Sequence, residues 1–393
     1  MKILMINVVC GIRSTGRICT DLAMALESKG HDVKIAYGRE KVPEQFQKYA
    51  VRIGSDLSVS LHGVQARLAD SAGFGSEKAT KRFIEWVREY SPDVIHLHNI
   101  HGYYINIEIL FEYLKECGKK VIWTLHDCWP FTGHSAYCDA ISCERWITGC
   151  YDCPQSKAYP KSLVDKSNLN WEKKREIFTH IPNMTIITPS EWLMSLVKKS
   201  FLCKYSGKVI PNGVDISQFK IINSNFREKY NLKDKIILLG VATAWNDFKG
   251  YSDFVQLSKM LDNQYKIVLV GLTKKQRNEI PTDILGLERT SSIKELAEIY
   301  SAADIFLNLT YCDNYPTVNL EAIACGTLVL TYSTGGSIEA VEKSGGIVVE
   351  KGNVRAVFEA IKDEKRSLRK PQYNEKFFDK QLEIMNYIEL IDK

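Results

Sequence analysis

Two carboxylates eight positions apart, Asp313 and Glu321, bracket a helix start within residues 313–340. Between them stand Asn314, Pro316, Thr317 and Val318, and a glycine pair, Gly335 and Gly336, follows the next strand-like run. Proline at a first helical position lacks an amide that would be unpaired there anyway, and Asp or Asn before it caps the helix. The amides of Thr317 and Val318 are then available to an anion, with the helix dipole behind them. Glu321, about one turn further in, reaches a group attached to that anion. A phosphate pocket flanked by two hydroxyl-binding carboxylates is what a nucleotide-sugar site requires. The same residues also read as a plain helix cap and a solvated glutamate, so the rest of the chain must decide.

Other groups point the same way. Residues 10–22 hold Gly11 and Gly16 around a loop that leads into a helix, together with Arg13 and Arg17; glycines there permit close backbone approach to a ligand. The loop is not GxGxxG and no acid follows at the dinucleotide spacing, which disfavours a nicotinamide cofactor. His96 and His98 share one face of a strand, followed by Asn99 and His101, while His126 ends the next strand. A histidine at the carboxyl end of a parallel strand faces the ligand crevice and a mid-strand one completes the core, so His126 is assigned to the site and His96 to the core. Lys249, after the strand-like run 236–241, offers a compact, strongly hydrated charge to a diphosphate. Cys138, Cys143, Cys150 and Cys153 fall within sixteen residues, a spacing that admits either a structural zinc site with four thiolates or unligated thiols in a compact loop. Helix-like residues 77–90 carry Lys78, Lys81, Arg82 and Arg88 beside Phe83, Trp86, Val87 and Tyr90. They read as a basic interfacial face or as an ordinary amphipathic surface helix.

The elements that must position these groups are legible as alternation. Short Val/Ile/Leu runs at 3–8, 33–37, 94–97, 121–125 and 185–188, then at 236–241, 266–270, 305–309, 328–331 and 347–349, alternate with helical stretches such as 20–28, 77–90, 293–302 and 319–325. Such runs are parallel strands covered on both faces, and the alternation predicts an α/β chain of two doubly wound Rossmann-like domains. The expected division is 1–207, with a Cys-rich insertion at 126–156, then 208–373, then a C-terminal helix 374–393 that returns to the first domain. Ligands of such sheets bind at the carboxyl ends of the strands, here predicted to lie in an interdomain cleft.

Composition sets the outer limits. A chain of 393 residues with 45% hydrophobic and 25% charged residues fits two soluble domains. The net charge of +5 suits an anionic ligand or an anionic membrane face and is too diffuse for nucleic acid. No apolar run has transmembrane length, the start carries no secretory pattern, and eleven cysteines without a disulfide framework fit a reducing compartment; the expected location is the cytoplasm.

Taken in order along the chain, RSTGRICTDLA, GFGSEKATKRFIEW, PDVIHLHNIHGYYINI, WTLHDCWPFTGH, CERWITGCYDCPQ, ITPSEWL, IPNGVD, the KG at Lys249 and the acidic motif resemble glycosyltransferase family 4. These are retaining GT-B enzymes that use nucleotide sugars, and the likeness is greatest to members of the capsular and exopolysaccharide type. The resemblance implies that Asp313 faces the donor sugar hydroxyls, Glu321 the ribose, Lys249 the leaving diphosphate and His126 the donor sugar. Gly16, Arg289, Asn314, Pro316, Thr317 and Val318 join the donor site on the same ground, and Arg13, Arg17, His98 and Asn99 the acceptor side. It also implies no metal in catalysis, a UDP- or GDP-linked sugar donor, and a lipid-linked saccharide acceptor met at the inner membrane face. Three positions depart from the family pattern. Ala244 replaces an Arg, a loss that Arg13, Arg17 or Arg289 would have to offset. Asp313 stands where Glu is usual, preceded by Cys312, and Ser135 takes the place of a cysteine. A non-catalytic nucleotide-sugar-binding partner subunit is the alternative that Ala244 and the altered acidic motif leave open.

Overall fold

Two all-parallel sheets arise from the Val/Ile/Leu runs. The computed structural model describes residues 1–367 and 378–393 and divides into two units, Met1–Pro211 with Ile384–Lys393, and Asn212–Glu383. The expected domain limit at 373 and helix start at 374 lie outside the described residues.

The first unit holds β1 (Lys2–Asn7), β2 (Asp32–Tyr37), β3 (Ala50–Arg52), β4 (Val94–Leu97), β5 (Lys120–Thr124), β6 (Met184–Thr188) and β7 (Ser206–Val209), ordered β3-β2-β1-β4-β5-β6-β7. The second holds β8 (Ile236–Val241), β9 (Tyr265–Val270), β10 (Ile284–Leu287), β11 (Ile305–Asn308), β12 (Leu328–Tyr332) and β13 (Ile347–Val349), ordered β10-β9-β8-β11-β12-β13. Register places Ile3 opposite Val33 and Val94, and Leu238 opposite Ile267 and Ile305. Apolar residues therefore meet apolar residues across each ladder. The central strands are sealed on both faces by helices, and each fully buried Leu or Ile contributes roughly 1.5–3 kcal/mol.

The strand order fixes where a ligand can sit. From β1 the chain winds to β2 and β3 on one side and to β4 through β7 on the other; from β8 it winds to β9 and β10, then to β11 through β13. Loops leaving β1 and β4, and those leaving β8 and β11, therefore stand side by side at the carboxyl edge of their own sheet, the switch point at which such sheets bind ligands.

Three strands escape the sequence reading: β3, β7 and β10. All are sheet edges, partly exposed, so their sequences AVR, SGKV and ILGL lack the continuous apolar run of a covered strand. The first helix runs Arg13–Ser28 rather than starting at 20, and Gly16 is a buried residue of its first turn rather than the end of a loop. A side chain there would crowd Val9, 3.0 Å from its Cγ2 and 3.3 Å from its carbonyl oxygen, so the glycine serves helix packing against the β1 exit. Helix Glu77–Tyr90 turns Phe83, Ile84 and Val87 into the core and leaves Lys78, Lys81, Arg82 and Arg88 exposed. Its apolar face is thus already covered by protein. The terminal stretch places Tyr387, Ile388 and Ile391 in the core with Val94, Ile122 and Ile187, and the Tyr387 hydroxyl meets Thr124 Oγ1 at 3.1 Å.

Candidate functional site

At the switch point of the six-stranded sheet, the loop after β8 and the loop after β11 are stitched together. The Phe248 carbonyl accepts from the Tyr311 amide (2.8 Å) and from Thr310 Oγ1 (3.2 Å). Gly250, at φ +72°, comes so close to β11 that a Cβ would stand 2.2 Å from the Leu309 carbonyl oxygen, a position and conformation only glycine tolerates. Asn246 caps the short turn Asp247–Lys249 by accepting from the Lys249 amide at 3.1 Å. The result puts Lys249 Nζ 2.7 Å from Asp313 Oδ2. Burial pulls the lysine's pKa down, but the adjacent Asp313 carboxylate more than offsets this and holds the ammonium above its ordinary range. The lysine therefore carries its charge, and both side chains are partly exposed at the carboxyl edge of the sheet.

The second acid is held more firmly. Helix Thr317–Ala324 begins with Pro316 at the cap position, not at the first helical position as its sequence suggests. The amides of Thr317 and Val318 belong to the first turn, where no carbonyl lies one turn back to receive them. Glu321 is buried, and its Oε2 accepts from the Tyr300 hydroxyl at 3.0 Å. Burial, and then the Glu321 charge, keep Tyr300 protonated, with a pKa far above its usual range. Beneath the helix start lies a closed polar network. Asn308 Nδ2 donates to Asn319 Oδ1 (2.8 Å), Asn319 Nδ2 donates to the Ser337 carbonyl and Oγ (both 3.1 Å), and Ser337 Oγ meets Thr331 Oγ1 at 2.9 Å. It ties the helix start to β11, to β12 and to the Gly335-Gly336 turn. Asn314 is buried, and its amide donates to Asp313 Oδ1 at 3.0 Å. Lys249 and Asp313 are thus in direct contact and Glu321 lies in the helix that follows Asp313, whereas Arg289 is exposed after β10, two strands from β8.

In the first unit, β4 and β5 deliver a histidine row. His96 is fully buried, bonded through Nε2 to Thr124 Oγ1 at 2.8 Å. His98 is 1% exposed and its Nδ1 meets Nε2 of half-buried His126 at 3.0 Å, the rings lying 14° from parallel. The acceptor-side position read for His98 is thus an interior one; it supports His126 from below. Burial lowers the His126 pKa to about 4 and that of His98 further, so both rings are neutral at pH 7. His101, noted in the sequence without a role, is bonded to two residues the sequence does not flag: Asp127 at 2.8 Å and the Tyr159 hydroxyl at 3.1 Å. The signal was present as the Asp immediately after His126. At the β1–β4 switch point, Asn7 Oδ1 accepts from the Asn99 amide at 3.3 Å. Arg13 pairs with Glu40, and Arg17 Nε donates to the Arg13 carbonyl at 3.3 Å.

The four-thiolate cage is not assembled. Cys138 is buried in the hydrophobic core against Cys128, and its carbonyl accepts from the Cys143 amide at 3.0 Å. Cys150 Sγ instead accepts from the Gly133 amide at 3.1 Å. Burial pushes the Cys150 and Cys153 thiols up to about 11, which keeps them protonated. Among the described residues no three His, Cys, Asp or Glu side chains are grouped to hold a metal ion. What pins this region is a residue the sequence did not flag: Lys174, fully buried, donates to the Trp129 carbonyl (2.8 Å) and the Thr132 carbonyl (3.0 Å). Among the described residues no helix is long and apolar enough to cross a membrane.

Comparison with known proteins agrees with this architecture. The family model described as Glycosyltransferase Family 4 matches residues 15–218, and that described as Glycosyl transferases group 1 matches residues 223–375. The putative colanic acid biosynthesis glycosyl transferase WcaC of Escherichia coli is 24% identical over 381 residues, covering 93% of this chain and 91% of its own. Among solved structures, the sucrose-phosphate synthase of Thermosynechococcus elongatus superposes with a TM-score of 0.75 at 16% identity, covering 100% of this chain and 98% of that one. Anabaena HepE in complex with UDP gives 0.69 at 14% identity, with both chains covered completely. With two doubly wound units of the GT-B kind and family matches over both, the chain belongs to glycosyltransferase family 4.

Proposed function

We propose that this protein is a retaining hexosyltransferase of bacterial surface polysaccharide synthesis. It moves a hexose from a UDP- or GDP-linked donor to a hydroxyl of a lipid-linked glycan, in the cytoplasm at the inner membrane face. The observation that carries this reading is the Lys249–Asp313 pair at the β8–β11 switch point, with buried Glu321 in the helix that follows. UDP in the HepE complex and the colanic acid pathway named for WcaC support the donor and product classes.

Cleavage of the anomeric C–O bond leaves an oxocarbenium-like sugar and a diphosphate with an added negative charge. Lys249 and the amides of Thr317 and Val318 stabilise that charge, which is where preorganised donors lower a barrier most. Asp313 exchanges its lysine for donor sugar hydroxyls as the phosphate takes the ammonium. Glu321, fixed by Tyr300, takes the ribose. The departing phosphate oxygen accepts the acceptor's proton on the face from which the sugar leaves, so configuration is retained. In that scheme the two acids orient hydroxyls, unlike the acid and nucleophile pair of a glycosidase. His126, neutral and supported by His98, is a hydrogen-bonding partner for the donor sugar, not an acid. No metal is required for these steps.

Turnover of UDP- and GDP-hexoses with Lys249→Ala and Glu321→Ala tests the reading. Both variants should lose most activity; wild-type rates in both would remove the site. Donor binding without sugar transfer to any acceptor would favour the non-catalytic partner subunit, which the exposed Ala244 in place of a family arginine keeps in view.

A further inference from the structure

We propose that the outer face of helix Asp56–Ala69, with residues 157–166 beside it, is a docking surface for anionic phospholipid membrane. The helix is held from one side only. Ser55 closes a capping box at its start, and His62 and Ala66 are buried. His62 Nε2 accepts from the amides of Gly73 (3.2 Å) and Gly75 (3.1 Å). On the opposite face stand Leu57, Leu61, Val64 and Leu68, spaced four, three and four, which is one line along a helix of 3.6 residues per turn. They are 69, 62, 57 and 57% exposed. The strip continues past the helix end. Leu163 donates its amide to the Arg67 carbonyl at 2.8 Å, and Leu163 and Val164 are themselves exposed.

The charge around this strip selects the partner. Arg67, Lys157, Lys161 and Lys166 are all exposed. In the same helix and loop the acids are Asp56, paired with Arg52, and Asp165, whose carboxylate accepts from the amides of Ser167 (2.8 Å) and Cys153 (2.5 Å). An apolar line flanked by bases is the pattern of a helix lying in a membrane interface, where leucines enter the acyl boundary and bases meet anionic head groups. The face also adjoins the histidine end of its unit. The His62 ring meets Tyr103 (5.8 Å), Tyr103 meets Tyr159 (6.3 Å), and Tyr159 bonds His101. A saccharide carried on a lipid would thus be presented near His126. That purpose rests on the acceptor reading above, whereas membrane partition itself does not. Helix Glu77–Tyr90, whose apolar face is buried, is not the membrane face in this account.

Cosedimentation of the full chain with vesicles of phosphatidylcholine, with and without phosphatidylglycerol, tests the proposal. The wild type should partition onto the mixed vesicles only, and less so in high salt. Leu61→Gln with Leu68→Gln should lower partition at least about tenfold. Arg67, Lys161 and Lys166 changed together to Gln should lower it on the order of 100-fold, at about fivefold per base. Lys81, Arg82 and Arg88 changed to Gln should leave it unaltered, and each variant should keep the wild-type melting point because the changed side chains are exposed. Absence of wild-type partition, or partition indifferent to the leucine variant, overturns the proposal. So does a leucine variant that only converts a dimer to a monomer in sedimentation, since the occupant is then a second copy. Lys249→Ala should bind vesicles normally, so failure of the transferase reading and failure of this one are told apart.

Discussion

Replacing Tyr300 with Phe asks whether Glu321 is merely buried or actively held for a ligand. The substitution removes one atom, the hydroxyl that donates to Glu321 Oε2 at 3.0 Å, and leaves the ring packed among Phe219 and Phe306. A hydrogen bond to a charged acceptor inside a protein contributes about 1.5–3 kcal/mol. A domain of 150–250 residues shifts its Tm by about 2–4 °C per kcal/mol, so the second unit should melt about 3–12 °C lower. The carboxylate stays but loses one contact that holds its rotamer. If it binds ribose equally in the ground and transition states, loosening it raises KM for the nucleotide sugar, by about tenfold for 1.4 kcal/mol, with kcat little changed. Differential scanning calorimetry and initial-rate kinetics read both effects, with Glu321→Gln as the stronger comparison. An unchanged Tm together with an unchanged KM refutes the reasoning. A fall in kcat at constant KM would refute the ribose assignment, because the acid would then act at the reacting carbon.

Asn319→Ala should cost about 1–3 kcal/mol by removing its bonds to Asn308 and Ser337 from a buried network, and should weaken donor binding although Asn319 itself is fully buried; urea unfolding and a donor titration measure the two. Gly250→Ala should destabilise the turn that carries Lys249 by more than about 1 kcal/mol, since φ is +72° and the Leu309 carbonyl blocks the new methyl; a wild-type Tm would contradict it. Thermal stability of the first unit should fall as pH drops from 6.5 toward 4. Burial lowers His62 and His126 to about 4 and His96 to about 3, so in that window the unfolded chain binds protons the folded chain refuses. A flat Tm across that window, measured by circular dichroism, would show that these rings are not buried in solution.

The sequence spoke most clearly where burial is complete. Residues 94–97 and 236–241 read as strands with the bounds the structure has, because inner strands covered by helices leave largely apolar runs; the edge strand 347–349 is legible too, since its IVV is itself an apolar run. The edges β3, β7 and β10 were silent for the opposite reason. At the site, Asp313, Glu321 and Lys249 could be picked out by residue type and by their place after a strand. Their meeting depends on something no local pattern carries: β8 and β11, some seventy residues apart, pair side by side and bring a lysine turn against an acidic loop. Tyr300 and the Asn308–Asn319–Ser337 network were invisible likewise, since each acts only through tertiary contact. Pro316 slipped by one helical position because proline is accommodated both at the cap and just after it. The cysteine spacing leaves zinc and unligated thiols equally open, because burial of Cys138 in the core beside Cys128 is a tertiary fact that spacing does not carry.

The central claim is that the carboxyl edge between β8 and β11 grips a pyrophosphate through Lys249. Calorimetric titration of UDP and GDP into the wild type and Lys249→Ala tests it most directly. At least one nucleotide should bind saturably, and the variant should bind it on the order of 10- to 100-fold more weakly, as expected for loss of a charged hydrogen bond. Equal affinity in the two proteins, or no binding of either nucleotide to the wild type, would contradict it.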